Sequence, residues 1–97
     1  MVPRFVKAYY DAVAVRRKAP RWLQGAARGV FAAVVLAEDF EEAKRRLLGL
    51  APAAGALRAE DRGDEAVAVI PVNAFYAAEI SVRRDGVRVR RVRWGPR

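Results

Sequence analysis

The chain reads as an α+β fold: two or three helices packed on an antiparallel sheet of about four strands. Three observations predict it. A Pro-punctuated amphipathic segment opens the sequence, a helix with its own capping residues lies near the centre, and alternating apolar and basic residues around an Asp-Gly turn close it. Ninety-seven residues make a single domain, expected to span 1–97. Apolar residues are 54% of the chain, but twenty are Ala and fourteen Val, so the expected core is thin.

Pro3 suits a first helical turn, and Phe5, Tyr9, Ala12, Val13 and Arg16 recur at spacings of three and four. Pro20 disfavours helix at Ala19 and ends that segment. Arg21 to Gly25 reads as a short helix or a turn, punctuated by Gly25 and Gly29. The apolar run from Val30 to Ala37 is read as a buried strand, although short apolar runs have no decisive period. Asp39 and Glu42 have capping-box spacing before Ala43, Leu47 and Leu48, which predicts a helix over 39–49 closed by Gly49 and Pro52.

Leu57–Asp61 and Glu65–Val72 read as strands joined by Arg62-Gly63-Asp64. The second has no polar alternation from Ala66 to Ile70, so it is expected to be central and covered on both faces, with Pro71 at its end. Ile80–Arg84 and Val87–Arg90 flank Asp85-Gly86, a hairpin turn signature. Beyond Arg90 the alternation slips, and a bulge near Arg90-Arg91 is expected to turn Val92 and Trp94 inward.

Composition removes most chemistry. There is no Cys, His or Thr, and Ser81, Asn73 and Gln24 are each alone of their kind. Thiol nucleophiles, imidazole bases, Ser-His-Asp triads and Cys/His zinc sites are excluded, so a non-catalytic protein without metal or cofactor is expected. The longest apolar stretch, Val30 to Ala37, is far short of the roughly twenty residues that span a bilayer. With no apolar leader in the opening residues, a cytoplasmic location without membrane contact is expected.

Charge points to a polyanion. Nineteen Lys and Arg face eleven carboxylates, a net charge of +8. A GC-rich genome raises Arg without functional cause, but it should do so evenly. Here residues 1–28 and 81–97 are basic and 38–65 acidic, so the two ends are expected to share one positive surface with the acidic middle on the far side. The candidate site is the hairpin's Arg83, Arg84, Arg88, Arg90, Arg91 and Arg93 with Trp94. Phe75, Tyr76 and Trp22 are candidate base-stacking platforms, flanked by Lys18 and Arg21. Guanidinium groups neutralise phosphates while aromatic rings take unstacked bases, and such binding needs both. Phe5, Phe31, Phe40 and Tyr9 are read as core.

With helices first and an Arg-rich sheet last, Phe75-Tyr76 and Arg88-Val-Arg-Arg-Val-Arg-Trp94 give the chain the look of a known group. It resembles the short relatives of ThermoDBP, single-stranded DNA-binding proteins of thermophilic archaea. The resemblance covers most of the chain in size, composition and element order. It implies sequence-tolerant binding of single strands in a cleft with aromatic base contacts. The expected partner is thus single-stranded nucleic acid, DNA ahead of RNA, with a homodimer left open. The alternatives are an RNA-binding protein and an assembly module whose basic face meets an acidic protein.

Overall fold

The computed structural model describes residues 19–94. The expected first helix, with Phe5 and Tyr9, and the candidate Lys18 lie outside them. Within them the fold is α+β, two α-helices packed on a four-stranded antiparallel sheet.

The run read as a strand is a helix. Helix α1 spans Gly25–Val35, and its buried residues Ala27, Val30, Phe31 and Val34 follow the 3, 1, 3 spacing of one helical face. Inside the eight-residue apolar run that period is invisible. It emerges only when the window starts before Ala27. Arg21 and Trp22 form a turn ahead of the helix, closed by the Leu23 N–H on the Pro20 carbonyl at 3.0 Å.

Gly29 sits mid-helix with open space where a Cβ would be. Gly29→Ala is therefore expected to raise stability by about 0.5–1 kcal/mol, read as a higher urea midpoint. A lower midpoint would contradict the helix.

Helix α2 spans Phe40–Leu50, close to expectation. Asp39 Oδ1 accepts the Glu42 N–H at 2.8 Å, and Glu42 Oε2 accepts the Glu38 N–H at 2.7 Å. The reciprocal half of the cap thus reaches one residue further back than a standard capping box. Gly49 does not end the helix; Ala51 caps it, and a 3-10 turn over Pro52–Ala54 leads to Gly55 at φ 76°.

Two cations tie α2 to its neighbours, one to α1 and one to the sheet. Arg46 Nη1 donates to the Ala33 carbonyl at 2.9 Å, satisfying an acceptor in the last turn of α1, while Nη2 meets Glu42 at 2.9 Å. Lys44 is 8% exposed. Its Nζ lies 3.0 Å from Asp61 Oδ1, donates to the Gly63 carbonyl at 2.9 Å and sits 5.1 Å from the Phe40 ring centroid. The helix thereby holds the first hairpin turn.

The Gly63 N–H, then Lys44, hold the Asp61 carboxyl below its ordinary value. A lowered folded-state pKa means that this contribution is complete above about pH 4 and is lost as pH falls through the folded value. Asp61→Asn is expected to flatten the acid limb of a melting-temperature profile.

The strands run β1 Arg58–Asp61, β2 Glu65–Pro71, β3 Tyr76–Arg83 and β4 Gly86–Arg93, a simple meander. Strand β2 is interior and Pro71 is its last residue, as expected. Ala66, Ala68 and Ile70 face the helices with Ala78, Ile80, Val82 and Val87 of the next strands. On the opposite face Val67 is also buried, whereas Val69 is half-buried. Phe31 and Phe40 are core, as read from the sequence.

Two details of the last hairpin differ. The two-residue tip is Arg84-Asp85, with Arg83 paired to Gly86 at φ 144°. The bulge is absent as well: pairing continues without interruption from Arg83 with Gly86 to Tyr76 with Arg93. Moving the tip by one residue changes the opposing partner by two, which preserves each side chain's face. A missing bulge inverts everything beyond it.

Candidate functional site

An unbroken β4 sends its arginines to both sides of the sheet. Opposite residues share a face, so Arg88 and Arg90, across from Ser81 and Glu79, point away from the helices with Val92. Arg91 and Arg93, across from Ala78 and Tyr76, lie on the helix side. The expected single Arg-rich face is two half-sets meeting at an edge. Sequence alternation alone carried this geometry, and the postulated bulge concealed it.

Ion pairing divides the arginines again. In the meander, the turn joining β1 to β2 and the tip joining β3 to β4 fall at the same end of the sheet. The acidic middle of the chain therefore does not lie wholly on the far side. Glu65 meets Arg83 at 3.9 Å and Arg62 at 3.5 Å, Asp64 meets Arg84 at 3.8 Å, and Glu60 meets Arg62 at 2.9 Å. Arg84 also stacks its guanidinium 4.7 Å from the Phe40 centroid. Strand neighbours Arg90 and Glu79 pair at 2.8 Å. Of the candidate arginines, Arg21, Arg88, Arg91 and Arg93 have no carboxylate partner among the described residues, and three of these four lie on β4; Arg28 on α1 and Arg45 on α2 are likewise without one.

The aromatics gather at the other end of β4, roughly 24 Å from the tip for an eight-residue strand. Tyr76 is half-buried on the helix side, edge-on to Trp22 with centroids 6.1 Å apart and planes at 80°. The Arg91 guanidinium lies 5.3 Å from the Tyr76 centroid, a cation–π contact. Trp22 packs against the core, so this pair is partly structural.

Phe75 and Trp94 are more open, 64% and 42% exposed. Asn73 builds their corner. Its Oδ1 accepts the N–H groups of Phe75 at 2.8 Å and Tyr76 at 3.1 Å, a side chain standing in for a backbone turn. Its carbonyl accepts the Trp94 indole N–H at 3.1 Å, and the Trp94 backbone N–H donates to the Phe75 carbonyl at 3.3 Å. The ring of Trp94 is thus held by its polar edge with much of its surface in solvent. Sequence reading missed Asn73, although an isolated Asn between a strand end and an aromatic pair is a turn signal.

Arg21, beside Trp22, is exposed at this end too, while Lys18 lies outside the described residues. The twelve residues singled out in the sequence therefore do not form one surface. Arg21, Trp22, Phe75, Tyr76, Arg91, Arg93 and Trp94 occupy one corner, Arg88 lies further along β4, and Arg83, Arg84 and Arg90 are engaged with acids. Among the described residues no helix is long and apolar enough to cross a membrane. No family model, curated protein or solved structure matches the chain.

Proposed function

We propose that the chain binds single-stranded nucleic acid, without catalysis and with little sequence preference, at the corner where β4 ends. The observation that carries this reading is the pairing of uncompensated guanidinium groups with exposed aromatic rings. Arg91 and Arg93 lack a carboxylate partner among the described residues, and Phe75 and Trp94 are exposed at the same end of the sheet. Cations alone attract any polyanion, whereas an exposed ring selects bases freed from a duplex. The resemblance to the short ThermoDBP relatives favours DNA over RNA.

Titration of labelled single-stranded DNA, duplex DNA and RNA at two salt concentrations tests the reading. One phosphate neutralised by each of Arg21, Arg88, Arg91 and Arg93 predicts a slope of log affinity against log salt of about −2.8, or roughly a 50-fold loss between 50 and 200 mM salt. Single strands should bind more tightly than duplex. Equal affinity for single strand and duplex would refute the role of the aromatics, and a slope near zero would refute the electrostatics.

A further inference from the structure

Strand β4 is a sheet edge among the described residues: the order is β1-β2-β3-β4, and β4 is eight residues long with neither bulge nor proline. The Trp94 N–H donates inward to Phe75. Antiparallel alternation then assigns the backbone groups of Gly86, Arg88, Arg90 and Val92 to β3, and sends those of Val87, Val89, Arg91 and Arg93 outward. Four N–H and four C=O groups thus form a template along the edge. Long straight edges invite pairing, and proteins guard them with charge.

We propose that β4 is the docking edge for an extended acidic peptide segment, which adds as a fifth strand. Two features select that occupant. The edge offers donors and acceptors alternately, which a peptide strand can satisfy together and a phosphate backbone, carrying acceptors alone, cannot. The free flanking charge on both faces is Arg: Arg88 on one, where Arg90 is already paired with Glu79, and Arg91 and Arg93 on the other. A second copy pairing β4 against β4 would set these arginines opposite one another, and like charges across a ladder destabilise it. An acidic strand meets opposite charge on either side. Because it uses the same guanidinium groups, it would compete with an oligonucleotide, yet it rests on the strand's backbone and not on the nucleic-acid reading.

Amide hydrogen exchange on the full chain, with three probes, tests this. Acetyl-(Glu-Val)4-amide should slow exchange about tenfold or more at Val87, Val89, Arg91 and Arg93, leaving Arg88, Arg90 and Val92 unchanged. Acetyl-(Glu-Pro)4-amide carries the same charge but cannot complete a ladder, and should give no such alternation. An eight-nucleotide oligo-dT reports on nucleic-acid binding alone, so the two readings can fail separately. Arg88→Glu combined with Arg91→Glu, both at exposed positions, should move the alternating protection from the Glu-Val peptide to acetyl-(Lys-Val)4-amide. Absence of binding, protection without alternation, equal protection by the Pro peptide or an unchanged preference in the variant would each overturn the proposal.

Discussion

Replacing Phe75 and Trp94 together by Ala is expected to weaken single-stranded DNA binding by about 30-fold or more, with an unchanged salt slope. Each base stacked on an aromatic ring contributes about 1–3 kcal/mol, so two platforms lost together cost at least the sum of the lower bounds. No phosphate contact is removed, so counterion release is unaffected. By contrast, Arg91→Ala or Arg93→Ala should each lower the slope by about 0.7. Phe75 is 64% exposed, so its removal should leave the melting temperature nearly unchanged. Trp94 also anchors the Asn73 turn, and losing that hydrogen bond costs about 1 kcal/mol of stability. Trp94→Phe keeps a ring but not the bond, which separates stacking from anchoring. Normal affinity in the folded double variant would remove this corner as the platform.

Leu47→Ala is expected to destabilise the protein by about 2–5 kcal/mol, toward the upper end of that range. Leu47 is fully buried in α2, and the other large side chains buried as completely are Leu23, Ile70, Ile80, Val34 and Val82. Much of the core to which it belongs is Ala and Val on short stems, which cannot move far enough to fill a vacated Leu volume. A domain of this size loses about 4–8 °C of melting temperature per kcal/mol, so the drop should be on the order of 15–40 °C by calorimetry. Leu36→Ala is the control. Leu36 is 65% exposed, and its loss should fall within about 0.5 kcal/mol of zero. Similar losses at the two positions would contradict the core described above.

Much of the architecture was legible because local chemistry dictates it. Asp39 satisfies an N–H that any helix beginning there leaves unpaired, and Pro71 cannot donate to a ladder and so stands at a strand end. The charged, Gly-containing turns after β1 and β3 were legible to within one residue, whereas the turn over residues 72–75 carries neither charge nor Gly, and β3 begins at Tyr76, four residues before the expected Ile80. The segment from Val30 to Ala37 was misread because Ala and Val at consecutive positions fit a buried strand and a buried helix alike. Packing of Ala27, Val30, Phe31 and Val34 into the core selected the helix.

The candidate site was legible in its residue types and not in their grouping. Composition by itself determined that the chain is basic and lacks thiol and imidazole chemistry, and alternation determined that β4 is a strand. Which arginines remain free was decided by tertiary structure. Arg83 meets Glu65 and Arg90 meets Glu79 only because the meander folds distant segments side by side. The face of Arg91, Arg93 and Trp94 depended on the presence or absence of one extra residue in β4, since side chains alternate with period two and a single insertion inverts all that follow. Ion pairs and strand register are contacts between segments, so composition and local pattern name the participants while the fold assigns the partners.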